Sequence, residues 1–265
     1  MGCGRKFSGM AKEDRKKSKS ANDKKRVVII IAFTIGFAMF VFAAWKLWTD
    51  MSDDIVAQTE YAQLREMISD IIMADLPAPT EELKLKDQIQ DLTDNNSITS
   101  VLNIFSEMNP DFIGWIIIPN TMIDYPVVRG PNNSLYLNTM FSGVSNPAGT
   151  IFMDHLCTKG FDMPVCIIYG HNMRDGSMFA ALTNYMDNGF LDDHPEIIVL
   201  TADGEKLVYR IFEAKYSDAW DSVYSLEFND YEDEQVLILS TCLNDADRYE
   251  RVLVFAVLDL PSGIP

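Results

Sequence analysis

From Val27 to Trp45 nineteen consecutive residues carry no charge, VVIIIAFTIGFAMFVFAAW. As an α-helix this run is roughly 28 Å long, close to the ~30 Å hydrocarbon core of a bilayer. It predicts a membrane-spanning helix. The flanks supply an orientation. Residues 1–26 hold ten basic side chains against three acidic ones, a net +7, whereas Trp45 and Trp48 close the other end beside Lys46, whose long stem can reach the interface. The basic end is expected to stay cytoplasmic and the rest of the chain to lie outside. A cleaved signal peptide is the competing reading, but its apolar run is typically about 7–15 residues, and only a weak small-residue site stands at Ala43 and Ala44. An uncleaved anchor is therefore expected. Lys6 stands where a myristoylation signal wants Ser or Thr, so Gly2 and Cys3 are read as incidental.

Past residue 26 the chain is acidic, with 12 basic and 36 acidic groups, and the whole carries −17. Such a surface excludes a general nucleic-acid binder. Residues 53–76 place Ile55, Leu64, Met67, Ile68, Ile71 and Ile72 at mostly helical spacing until Pro77 and Pro79 break the pattern. The polar stretch to Ser97 reads as a spacer. The expected organisation is a basic tail at 1–26, an anchor at 27–48, a helical stalk at 49–97 and one globular domain at 98–265.

That domain opens on a short helix, SVLNIFSEM, and continues as apolar runs of strand length. Strands are expected near 113–118, 122–128, 149–153, 164–170, 196–202, 206–216, 235–241 and 251–259, with Asp203-Gly204 as a hairpin turn. Helical breaks fit at 134–140 and 177–187, the latter with Met178, Phe179, Leu182 and Tyr185 as an inward stripe. Eight such strands suggest a closed barrel or a sandwich.

Three cysteines, at 157, 166 and 242, belong to this domain, so at least one is unpaired within the chain. Cys157 and Cys166 flank a short loop and could be bridged or be two buried thiols. Cys242 ends the strand QVLILST, where a period of two places it on one face with Val236, Ile238 and Ser240. If 235–241 and 251–259 pair antiparallel, Arg251 enters beside Cys242. If 164–170 runs parallel to 235–241, His171 joins the same rim. His155 and His194 stand in loop-like contexts without metal-ligand spacing, so no metal site is expected, and no phosphate-binding glycine pattern occurs. The acidic run at 229–234 reads as a solvated loop, and the closing LPSGIP as a chain end with no hydrophobic tail.

Leu239-Ser240-Thr241-Cys242 is similar to the TLxTC motif of the sortases, the membrane-anchored cysteine transpeptidases of Gram-positive surfaces, with Ile238 where Thr is common. Residues 109–128 (NPDFIGWIIIPNTMIDYPVV), 134–154 (SLYLNTMFSG to IFMD) and 167–182 (IIYGHNMRDGSMFAAL) also resemble the family, most of all class B. The resemblance implies a mainly β fold with flanking helices, an eight-stranded closed barrel of the sortase type after the transmembrane helix and stalk. It implies Cys242 as nucleophile, His171 as its partner and Arg251 as third catalytic residue, with Ser240, Thr241 and Asn172 expected at the substrate. Implied partners are LPxTG-like or NPxTN-like sorting-signal peptides and a cell-wall amine acceptor, with no cofactor. Pilus polymerisation and a non-catalytic anchored binding barrel are the alternatives. Class B members usually carry a long helix before the Cys strand, whereas only residues 217–234 are available here.

Overall fold

The structure is a computed structural model that describes residues 5–72, 98–226, 234–243 and 249–259. The expected spacer at 77–97 and the acidic run at 229–233 lie outside the described residues. Two compact units are present, Met1–Ser52 and Asp53–Pro265. Helix α1 is Arg5–Ile72, and its residues up to Ser52 make the first unit. From Ile30 onward this unit exposes its apolar side chains, Phe33 and Trp48 by three quarters, and an 18-residue stretch of the helix, with a mean hydropathy of 2.0, is long and apolar enough to cross a membrane. A membrane anchor and a signal sequence both satisfy that requirement.

In the second unit α1 lays down Ala57, Tyr61, Leu64 and Ile68, spaced four, three and four apart, as one buried stripe. Leu64 and Ile68 are buried as the sequence leads one to expect, whereas Ile55 and Met67 are exposed and Ala57 and Tyr61 take their place; the side chains of Ile71 and Ile72 lie outside the described residues. Polar bonds fix the stripe in place. The Tyr61 hydroxyl donates to the Gly149 carbonyl, Asn146 Nδ2 to the Asp53 carbonyl at 2.8 Å, and Gln58 Nε2 to Asp175 Oδ2 at 2.8 Å. Burial pushes the Asp175 carboxyl up, but the bonds from Ser177 and Gln58 outweigh it and leave its pKa below the ordinary range. Helix α2, residues 98–108, buries Ile98, Leu102 and Phe105 at the same kind of spacing, and Phe105 stacks on Trp115 at 5.2 Å.

The strands are β1 Phe112–Ile117, β2 Asp124–Val128, β3 Ile151–Met153, β4 Val165–Tyr169, β5 Glu196–Thr201, β6 Lys206–Asp218, β7 Val236–Cys242 and β8 Glu250–Leu258. They close into a barrel in the order β1-β2-β3-β4-β7-β8-β6-β5, with β2/β3 and β4/β7 parallel and the other pairs antiparallel. All eight strands expected from the apolar runs are present. The turn between β5 and β6 rests on Gly204, whose φ of +94° is the left-handed conformation that glycine adopts freely. The stripe Met178, Phe179, Leu182 and Tyr185 is buried, as expected, around a 3₁₀ segment at Ala180–Met186.

β4, β7 and β8 read as almost unbroken apolar runs because both of their faces are covered. Cys166, Ile168, Leu237, Leu239, Val252 and Val254 fill the main core. Val165, Ile167, Val236, Ile238, Leu253 and Phe255 form a second cluster, closed from outside by Val223, Tyr224 and Leu226. That cover comes from the short connection after β6. Its described part holds a single 3₁₀ turn, Ser222–Ser225, capped by the Asp221 carboxylate accepting from Val223 N at 3.0 Å, where class B relatives were expected to carry a long helix.

Candidate active site

The ends of β4, β7 and β8 lie side by side, and their register decides which side chains meet. Cys242 is paired directly with Arg251 across the antiparallel β7/β8 ladder. Directly opposed residues share a face, so sulfur and guanidinium leave the sheet on the same side. In the parallel β4/β7 ladder the last pair is Tyr169 with Ser240, and continuing that register two positions brings His171 level with Cys242. The Gly170 N–H donates to the Ser240 carbonyl at 3.2 Å and carries the alignment past the end of β4. Gly170 must be small there, since an added Cβ would lie 2.5 Å from Ile151 Cδ1 and 2.6 Å from Phe179 Cγ.

A groove of about 430 Å³ opens at this rim, lined among others by His171, Cys242, Arg251, Ser240, Tyr169 and Tyr224. Cys242 is half-buried, the first residue of β7 that is not fully covered. Cys157 and Cys166 are buried free thiols, so the bridge considered from sequence is not formed. The hydrogen bond with Cys157, and then burial, push the Cys166 thiol up and keep it protonated.

The imidazole of His171 is held at one end. Its Nε2 lies 2.7 Å from the Leu137 carbonyl, and a carbonyl only accepts, so Nε2 carries a hydrogen. The nitrogen left to exchange a proton is Nδ1. The Arg251 guanidinium donates from Nη1 to the Glu250 carbonyl at 3.1 Å.

The three neighbours expected at the substrate divide. Ser240 shares the groove face with Cys242, and its hydroxyl is 2.9 Å from that of Tyr224. Thr241 also borders the groove, but its side chain is turned inward by the period of two: it is buried and its hydroxyl donates to the Gly170 carbonyl at 2.8 Å. The side-chain amide of Asn172 goes to the backbone instead, with Nδ2 donating to the Cys242 and Leu243 carbonyls at 3.0 and 2.9 Å. Asn172 thus fixes the strand end that carries the sulfur. Asn172→Ala is expected to cost about 1–2 kcal/mol of stability, read by denaturant unfolding, because two carbonyls lose their donor. It should also lower kcat/KM about tenfold, because the thiol loses its fixed position.

An aromatic wall that no motif in the sequence marks lines the groove beside the sulfur. Tyr169 shares the face of Ile167 and stacks on Tyr224 at 6.1 Å and 20°, and Phe152 packs on Tyr169 at 5.2 Å. Burial pushes the Tyr224 phenol up, against the Ser240 hydrogen bond and the Arg251 charge, which lower it. Burial raises Tyr169 as well, so both phenols remain donors. The period-two pattern could have singled out Tyr169, but nothing local marks Tyr224. Among the described residues no group of His, Cys, Asp and Glu is arranged to hold a metal ion.

The sortase domain model matches residues 116–259, more than half of the chain, from the last two residues of β1 to past the end of β8. The chain belongs to the sortase family. Within it the likeness is to class B. Sortase B of Listeria monocytogenes is 27% identical over 235 residues, covering 80% of this chain and 88% of the relative. The crystal structure of Clostridium perfringens sortase B superposes with a TM-score of 0.53 at 26% identity, covering 60% of this chain and 99% of that one. A Staphylococcus aureus sortase B–substrate complex shares the fold, with a TM-score of 0.61 at 21% identity over 80% of this chain and all of its own. By family this sortase is a cysteine transpeptidase.

Proposed function

We propose that this sortase is held in the membrane through residues 27–48, with residues 1–26 cytoplasmic, 49–97 as a stalk and the barrel outside. There it cuts a C-terminal sorting signal of the LPxTG or NPxTN type and joins the new carboxyl end to a cell-wall amine. The observation that carries this reading is the register placing Cys242 opposite Arg251 and level with His171 at the mouth of a groove.

The Cys242 thiolate attacks the threonine carbonyl carbon, forming a C–S bond and a tetrahedral oxyanion. The Arg251 guanidinium, fixed on the same face of the sheet, orients the peptide and stabilises that oxyanion. As the intermediate collapses the C–N bond breaks, and protonated His171 gives its Nδ1 hydrogen to the departing amine. This leaves a thioacyl on Cys242. An incoming amine loses its proton to Nδ1, attacks the thioacyl carbon and expels the thiolate. The peptide bond broken is replaced by one formed, so the cycle needs no external energy source. That a relative of the same fold is known as a substrate complex supports a peptide in this groove.

The test is to incubate the domain with peptides carrying either motif, with and without a free amine such as a short glycine peptide, and weigh the products. The expected result is a truncated peptide joined to the amine when amine is present. Cleavage yielding only the free acid at every amine concentration would make the protein a hydrolase and sink the transfer reading.

A further inference from the structure

Directly after β3 a carboxylate is buried in the wall of the groove. Asp154 is 3% exposed, and no Lys or Arg lies within ion-pair distance of it among the described residues. A buried charge persists only where donors replace water. Here Tyr169 OH donates to Oδ2 at 2.8 Å, Asn133 Nδ2 to the same oxygen at 2.7 Å, and the Leu156 N–H to Oδ1 at 2.9 Å. His155 Nδ1 stands 3.3 Å from Oδ1. The donors are themselves cross-tied, since Asn133 Oδ1 accepts from the His155 N–H at 2.9 Å and lies 3.1 Å from His155 Nδ1.

Each of these partners lines the groove that holds Cys242. The network fixes the way the Asn133 amide faces, because its oxygen is taken by His155 and its nitrogen by Asp154. It also fixes Tyr169, whose ring stacks on Tyr224, whose hydroxyl in turn meets Ser240 two residues before the sulfur. An apolar residue of similar size could fill the space. A carboxylate orients three groove groups through charge-assisted bonds.

We propose that Asp154 is a positioning residue of this sortase, which sets the groove wall before the peptide arrives and acts through Tyr169 and Asn133 rather than on the reacting atoms. The inference rests on the groove being the peptide site. Asp154→Asn leaves one accepting oxygen where there were two, so at least one of Asn133, Tyr169 and the Leu156 N–H loses its acceptor and the network loosens. Peptide capture should suffer while the rim chemistry continues.

The experiment measures steady-state cleavage of quenched fluorogenic peptides in LPxTG and NPxTN frames by wild type, Asp154→Asn, Tyr169→Phe and the double variant. Asp154→Asn is expected to raise KM about tenfold with kcat within about threefold, and Tyr169→Phe to raise KM about threefold. The double variant should be no worse than Asp154→Asn alone, because the two share one pathway. A loss confined to kcat, a wild-type KM in Asp154→Asn, or additive effects in the double variant would overturn the proposal. If Asp154→Asn does not fold, Tyr169→Phe decides alone, a raised KM supporting the proposal and an unchanged KM overturning it. Absence of wild-type turnover on every peptide would sink the peptide-site reading and this proposal with it, whereas wild-type turnover matched by the variants sinks only the latter.

Discussion

Cys242→Ala is expected to abolish release of the peptide's C-terminal fragment, with a loss of at least about 10⁴-fold, because covalent catalysis has no substitute at this rim. The other two cysteines of the barrel are buried, and Thr241, the nearest hydroxyl in sequence, faces the core and is bonded to Gly170. None of these three can therefore take over the attack, and the Ser240 hydroxyl on the groove face is an unactivated alcohol bonded to Tyr224. Stability should barely move, since Cys242 is half-buried at the last position of β7. Turnover surviving in a variant that melts like the wild type would remove the thiol from the mechanism.

His171→Ala is expected to lower kcat about 10³-fold while changing KM less than threefold, as removal of a general acid–base group does. The imidazole is half-exposed and tied at Nε2 to a single carbonyl, that of Leu137, so its loss should cost no more than about 1 kcal/mol of stability. A His171→Ala enzyme with a wild-type kcat would show that the proton moves through another group.

Much of this was legible in the chain because β4, β7 and β8 are covered on both faces and therefore spell themselves as apolar runs. Given those runs, the meeting of Cys242, Arg251 and His171 follows from pairing direction, and the ladders are parallel and antiparallel as that meeting requires. The buried face of α1 is only partly legible, at Leu64 and Ile68. Apolar strength singled out Ile55 and Met67, whereas the buried positions include Tyr61, whose hydroxyl reaches a barrel carbonyl, and the small Ala57. Thr241 and Asn172, expected at the substrate from the family resemblance, place their side chains on the carbonyls of Gly170 and of Cys242 and Leu243, bonds that no local pattern spells. Tyr224 and Asp154 stayed hidden because their roles depend on contacts made across the sequence, with Ser240 and with Asn133 and Tyr169.

The central claim is that the Cys242 sulfur carries the cut peptide as a thioester. Mixing the protein with an LPxTG or NPxTN peptide without an amine, quenching in acid and weighing the intact protein and its fragments tests it directly. The expected result is a mass increase equal to the acyl portion ending in threonine, located on the fragment that contains Cys242 and removed by adding amine. Peptide cleavage without any adduct, or an adduct on the fragment carrying Cys157 or Cys166, would contradict it.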